Sequence, residues 1–352
     1  MADIVFVNGI ATPPVPKPGQ VLDSPVASVR LRCLLPAAGL RALGHRTSLA
    51  GLTDLVRPGI AERLRDPAVR IVLGKPTPGT FAGHPEACTA ALDVLERLAE
   101  VRPVHADVCD LLTERHGPAG RHRDLVLRRF VPVVASQWLA DHYRPTSRHA
   151  PLVVEDPTET PVPAAPRFRP AGPLRFVWFG YWSAGTGALL GRALSGLAPE
   201  GRDIRLTIVT QPAAAADIDR LARTANDRVD APCRVERRDW SPAEVGRALA
   251  DADFVLLPQP AGDPRVAAKS HNRMVEAIRH GRFALASPIP AYRELADFGW
   301  VGDPAEGVRW ALAQPDRARA RIAAGQAAVA DRFSPEAVAR RWAAALALPA
   351  TG

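Results

Sequence analysis

The stretch Lys269-Ser-His-Asn-Arg-Met-Val-Glu276-Ala-Ile-Arg-His-Gly281, continued by Arg282-Phe-Ala-Leu-Ala-Ser-Pro-Ile-Pro290, decides the reading of the fold, because it joins a polar helix start, an acid on the helix and a new apolar strand. Ser270 is placed to cap the helix, so the free amides of His271, Asn272 and Arg273 would face any anion set before it. Lys269, Asn272, Arg273 and Glu276 fall at i, i+3, i+4 and i+7, which puts two cations, an amide and a carboxylate on one helical face. Met274, Val275 and Ile278 take the opposite side and pack inward. Gly281 stands where a helix C′ residue is expected, and Phe283 to Ala286 reads as a short buried strand. A surface helix with an N-cap and one Arg/Glu pair accounts for the same residues, so the surrounding chain has to decide between the two.

That surrounding chain alternates apolar runs with longer helical patterns, the mark of parallel sheets joined by crossover helices. Ile4 to Val7, Thr47 to Ala50, Val69 to Leu73, Val104 to Ala106, Val131 to Ala135 and Leu152 to Val154 are expected strands of a first sheet, with helices near Val26 to Leu43, Ala87 to Glu100 and Arg121 to Arg129. The stretch Thr158 to Pro173 is too rich in proline for either regular element and is expected to be a linker. A second series follows: strands Leu174 to Phe179, Ile204 to Val209, Arg234 to Glu236, Phe254 to Leu257 and Phe283 to Ala286, with helices Ala184 to Leu197, Ala213 to Thr224 and Pro242 to Asp251. Helices Gly307 to Ala313, Ala318 to Phe333 and Pro335 to Ala347 close the chain. The expectation is two α/β domains, residues 1–157 and 174–352, separated by the linker 158–173.

Composition narrows the function classes. With 352 residues and 47% hydrophobic content the chain can bury a full core, and its length is a soft prior for two domains. No run approaches the ~18 to 20 apolar residues of a membrane span, and Met-Ala-Asp-Ile-Val-Phe-Val lacks the basic n-region of a signal peptide, so a cytoplasmic chain starting at Met1 is expected. Cys33, Cys88, Cys109 and Cys233 form no C-x-x-C pair, which points away from zinc and from a disulfide framework. The net charge of +8 would attract polyanions. Its cations are spread along the chain, however, and with three Tyr no basic-aromatic module is present, so nucleic acid is not the expected partner. Arg121 to Arg129 is the tight basic cluster; it is read first as a solvated helix face, with peripheral contact to the inner face of the membrane kept open. Nearly every cation is Arg, and Lys17, Lys75 and Lys269 are the lysines, which hints at places that want a compact ammonium.

In open parallel sheets ligands bind beyond the carboxyl ends of the strands. Asn8-Gly9, Lys75, Asp107 to Asp110, Gly180 to Gly187 and Asp239-Trp240-Ser241 stand in those places. H-E-x-x-H, G-x-S-x-G and G-x-x-x-x-G-K-[ST] are absent, which argues against a zinc protease, a serine hydrolase and a P-loop NTPase.

Taken in order, these segments resemble the GT-B glycosyltransferases, in particular the family 4-like retaining enzymes of bacterial polysaccharide and glycoconjugate synthesis. In the first half the likeness lies in Ala27-Ser-Val-Arg30-Leu-Arg32, Gly44-His45, Arg70 to Lys75 and Asp107-Val-Cys-Asp110. In the second it lies in Phe176 to Gly180, Ala252 to Pro258, Glu276-Ala277 and Gly281. The resemblance implies two Rossmann-like domains facing across a cleft, and transfer of a sugar from a nucleotide-diphosphate donor to a glycan, lipid-linked or small-molecule acceptor. It further implies retention of configuration and no metal or cofactor beyond the nucleotide-sugar co-substrate. It gives Glu276 the ribose hydroxyls, a task that suits an acceptor-only group. Lys269, Arg273, Ser270, Asn272 and the helix amides receive the diphosphate and its developing charge, Gly180 gives it room, and Asp239 and Trp240 lie near the base. Lys75, His105, Asp107 and Asp110 are weaker acceptor-side candidates that equally suit helix caps, and Arg30 and Arg32 suit either a phosphate or solvent. The chain departs from the family pattern at Ala268, where an acid is usual, and in the cation-free stretch Gly180 to Leu190. Both departures favour the alternative of a non-catalytic GT-B-like binding or scaffolding protein.

Overall fold

Short apolar strands, most of them buried on both faces, build two six-stranded sheets, parallel throughout, in a computed structural model. It describes residues 1–9, 24, 26–76, 78–160, 163–168, 172–183, 185–197, 202–226, 232–260 and 262–349. Lys17, Ala184 and parts of the expected linker (161–162 and 169–171) lie outside the described residues. By contact the chain forms two compact units, one of residues 1–157, 268–270 and 333–352, the other of residues 158–267 and 271–332. Among the described residues no helix is long and apolar enough to cross a membrane.

In the first unit β1 (Asp3–Asn8), β2 (Arg46–Gly51), β3 (Val69–Leu73), β4 (Val104–Val108), β5 (Val131–Val134) and β6 (Leu152–Val153) stand in the order β2-β1-β3-β4-β5-β6. Val5, Val7, Ile71 and Leu73 face one apolar cluster with the helix Pro85–Ala99, while Ile4, Phe6, Val72 and Val133 face another. Such two-sided burial is what continuous apolar strands of a parallel sheet require. The stretch expected as one helix from Val26 to Leu43 carries a wider π turn at Arg30–Leu34, and all five residues of that turn are buried.

The last helix, Pro335–Ala345, does not join the second unit as its place in the sequence suggested. Its apolar side fits the open face of the first sheet: Trp342 is fully buried and meets Phe6 edge-on at 5.8 Å. A Cβ at Gly39 would come within 2.7 Å of the Ala339 Cβ, so this helix and Leu35–Ala42 touch where glycine leaves room. The expected linker also differs, since from Thr158 onward its described residues belong to the second unit. Prolines cannot enter a ladder, but the amides between them can bond outward: Ala164 donates to Arg279 O at 3.1 Å and Arg167 to Gly281 O at 3.0 Å. Phe168 is buried against Phe254 and Phe283.

In the second unit β7 (Leu174–Phe179), β8 (Ile204–Thr210), β9 (Cys233–Asp239), β10 (Phe254–Leu257), β11 (Phe283–Ala286) and β12 (Trp300–Val301) take the order β12-β11-β10-β7-β8-β9. Every strand expected from the sequence is present; the two-residue β12 was not anticipated. The helix Asn272–Arg279 joins β10 to β11. It ends as its sequence requires, with Gly281 at φ +69°, its amide bonded to Ile278 O and that of Arg282 to Ala277 O.

Candidate functional site

The chain of the second unit runs outward from β7 through β8 to β9, then returns to place β10 on the other side of β7. The carboxyl ends of β7 and β10 therefore flank the switch point where open sheets bind ligands. Gly180 follows β7 directly. Its φ of +144° is one that side chains rarely adopt, and a Cβ there would lie 3.4 Å from Arg273 Nη1. The loop behind it is fixed by Gln211, whose side chain accepts from Trp182 N and donates to Trp182 O, both at 2.9 Å. Sequence reading missed Gln211, which sits next to β8 and has no motif of its own.

The helix after β10 brings its first turn to this point. Among the described residues Arg273 Nη1 makes one long hydrogen bond, 3.5 Å to Phe179 O, which leaves most of its guanidinium donors without a partner there. Asn272 Nδ2 is buried and has no hydrogen-bond partner among the described residues. A buried unsatisfied donor costs about 1–3 kcal/mol, which an anionic or hydroxyl-rich ligand would recover. First-turn amides add to the same tendency.

Ser270 does not cap this helix. His271 takes the N-cap position without a side-chain cap bond, and Lys269 and Ser270 precede the helix, in the segment that belongs to the first unit. The helix starts one residue late because the His271 ring is buried and anchored, with Nε2 3.1 Å from Glu294 Oε2. Arg332 reaches the same carboxylate at 2.5 Å. The close approach of His271, aided by Arg332, draws the Glu294 carboxyl down to about 2. Nothing local in the sequence announces this anchor, since Glu294 and Arg332 arrive from later elements.

Glu276 is buried, as are Met274 through Arg279, so it does not stand on a solvent-facing polar side of the helix. Its Oε1 accepts from Glu159 N at 2.6 Å and its Oε2 from the Thr160 hydroxyl at 2.7 Å. Burial, and then the charge of Glu159, push its carboxyl up to about 7. The acid expected at ribose hydroxyls is thus already occupied by residues of the supposed linker. At the sheet's edge, Asp239 is the last residue of β9 rather than a loop residue and is exposed beside Arg237, while Trp240 is half-buried with its amide on Thr210 O at 3.0 Å.

In the first unit two of the lysines converge. Lys75, next but one after β3, and Lys269 both reach the Asp110 carboxylate, Lys269 at 2.7 Å. Burial works against the Asp110 charge, but the two ammonium groups overcome it and hold the carboxyl below its usual range. Asp107 was expected in a loop; β4 runs through it, and alternation turns it inward onto Arg32 at 2.7 Å. Arg32 also pairs with Asp156 at 3.3 Å and lies over the Trp342 ring at 5.4 Å. Burial opposes its charge, and the two carboxylates outweigh that. Arg30 and Arg32 are therefore buried rather than solvated. His105 is likewise inside β4, and burial lowers its pKa to about 4. In the basic cluster, Arg121 pairs with Asp93 and Glu96 and His122 is buried, while Arg128 and Arg129 are exposed.

No protein-family model matches the sequence, and no curated protein does. Solved structures do. The Anabaena protein HepE, crystallised with UDP and glucose, aligns over 99% of this chain and 100% of its own at 14% identity and a TM-score of 0.65. The fold is GT-B. Two further GT-B structures agree: a glycosyltransferase of Rickettsia africae, covering 98% of each chain at 12% identity and a TM-score of 0.64, and the apo lipopolysaccharide outer core galactosyltransferase WaaB, covering 98% of this chain and 99% of its own at 11% and 0.61. At these identities the likeness speaks for the GT-B fold alone. The site has to be argued from its residues.

Proposed function

We propose that this protein is a glycosyltransferase that moves a sugar from a nucleotide-diphosphate donor to a glycan, lipid-linked or small-molecule acceptor, with retention of configuration and without a metal. The observation that carries the reading is the pair of uncommitted donors, Asn272 Nδ2 and the Arg273 guanidinium, set against Gly180 at the switch point of a GT-B sheet. A diphosphate placed there would meet Arg273, Asn272 and the first-turn amides, and their fixed charge would stabilise the departing group as the sugar–oxygen bond breaks. HepE was crystallised with UDP-glucose, which makes a UDP-sugar the first donor to try. A ribose hydroxyl would take the place of the Thr160 hydroxyl on Glu276, one donor for another. By its place in the sequence alone, Lys269 is a further candidate phosphate ligand. Gly180 gives the phosphates room, and Asp239 with Trp240 is kept for the base.

A thermal-shift panel of UDP-, GDP-, ADP-, dTDP- and CMP-sugars tests this reading. A donor at about 100 times its Kd adds ~2.7 kcal/mol of stability. The expected result is a shift with one nucleotide class that is lost in Arg273→Ala and reduced in Asn272→Ala. No shift with any donor, in a protein that melts cooperatively, would replace it with the second reading, a non-catalytic binding or scaffolding protein of the same fold. That second reading is favoured by Ala268, which is fully buried among apolar side chains where the family pattern has an acid.

A further inference from the structure

Three arginines stand in one row on the second sheet. Arg175 of β7 is registered opposite Arg205 of β8, and Arg205 opposite Arg234 of β9, so all three project from the same face of neighbouring parallel strands. Strands lie about 4.8 Å apart, and like charges placed directly opposite one another destabilise a sheet. Three such residues in a row call for compensating acids. Among the described residues, Asp253 holds Arg175 through two bonds, at 3.1 and 2.9 Å, and Arg238 takes Glu236, Glu244 and Asp251. Arg205 and Arg234 are exposed and have no ion pair among the described residues.

Two simpler accounts fall short. Cations on an edge strand discourage further strand pairing, which suits Arg234 on β9. Arg205, however, is on β8, which is paired on both sides. A helix C-terminus also attracts cations, and Pro242–Asp251 ends beside the row. Its last carbonyls are already served by Arg282, which donates to Leu249 O at 2.5 Å and Ala250 O at 2.9 Å. The row also lines a groove of about 810 Å³, with Thr207 from the next register position and Arg238 contributing to the same wall.

We propose that this groove binds a phosphorylated small molecule of the diphosphate class through Arg205 and Arg234, with the Thr207 hydroxyl as a further donor. Guanidinium forks match phosphate oxygens in pairs, and two on adjacent strands suit two linked phosphoryl groups. The three arginines are the second residues of β7, β8 and β9, at the amino ends of the strands, whereas Gly180 and Arg273 mark the carboxyl ends. The groove is therefore a second site in this unit, independent of the donor reading.

The test is isothermal titration of the full chain with inorganic pyrophosphate, carried out in an Arg273→Ala background so that the switch-point site does not contribute. Saturable binding is expected there, weakened about 100-fold by Arg205→Ser with Arg234→Ser, since two charge-assisted contacts are lost. The milder pair Arg205→Lys with Arg234→Lys, which keeps the charge, is expected to fall between the two and guards against a folding defect. Three results would overturn the proposal: no pyrophosphate binding in the Arg273→Ala protein, binding that the double serine variant leaves unchanged, or flotation with phosphatidylglycerol vesicles in place of pyrophosphate binding. The donor panel is read separately through Arg273→Ala, so either reading can fail without the other.

Discussion

Replacing Glu276 by Gln should flatten part of the protein's stability profile against pH. The carboxyl titrates at about 7 in the folded protein against 4.5 in an ordinary setting, because burial and then the nearby Glu159 charge oppose ionisation. The folded state therefore holds this proton more tightly than the unfolded state. Its contribution is full below 4.5 and is lost as pH rises through about 7. Between pH ~5 and pH ~8 that loss is ~2.5 kcal/mol. Glutamine carries no titrating proton, and its oxygen can still accept from Glu159 N while the Thr160 hydroxyl turns to accept from its amide. Urea unfolding of both proteins at the two pH values isolates the effect, since all other titrating groups are common to them. The stability of Glu276→Gln relative to wild type should rise by ~2.5 kcal/mol from the lower pH to the higher. Parallel profiles would mean that Glu276 is ionised in the folded protein and that the pocket around it is wetter than its burial implies.

Arg32→Met should destabilise the first unit by about 3–5 kcal/mol in urea unfolding, because Asp107 and Asp156 would be left buried without their cation. A loss below about 1 kcal/mol would show that water already reaches the triad. Gly281→Ala should cost about 1–3 kcal/mol or more, as φ +69° disfavours a side chain and the new Cβ would meet Ala165 O at 2.4 Å; an unchanged melting temperature would contradict it. Asp110→Asn removes a carboxyl held low by Lys269 and Lys75, whose stabilising effect is present above the ordinary carboxylate range and fades as pH falls through its lowered value. Acid unfolding of the variant should therefore show a shallower loss of stability than wild type, and identical acid limbs would show that the two lysines contribute nothing there.

The strands were legible because each is a short apolar run of the right length, and Gly281 because only glycine suits the turn that follows its helix. The linker was misread for a physical reason: proline content excludes a ladder, but it does not exclude single amides such as those of Ala164 and Arg167 from bonding outward. Periodicity located the helix at Asn272 and drew its cations and Glu276 onto one face. Burial of the whole segment from Met274 to Arg279 takes that face out of solvent, which periodicity alone does not reveal. Glu294, Arg332, Gln211 and Thr160 were invisible because their partners are distant in sequence, and a contact of that kind leaves no local signature. Lys75 and Lys269 were singled out by rarity, which gave no hint that both would meet Asp110.

The pairing of the first strand with the last helix constrains how the protein is made. Phe6 leaves the ribosome long before Trp342, yet each is fully buried against the other. At ~5–20 residues per second, tens of seconds separate them. Over that interval Phe6 and Leu40 lack the cover that Val338, Trp342 and Leu346 give, so part of this apolar surface is presented to the cell until the helix Pro335–Ala345 has been made. Chaperone occupancy of nascent chains should therefore persist until the helix Pro335–Ala345 has emerged. A stop codon that removes the last helix would leave the first unit prone to aggregation even though its sheet is complete in sequence.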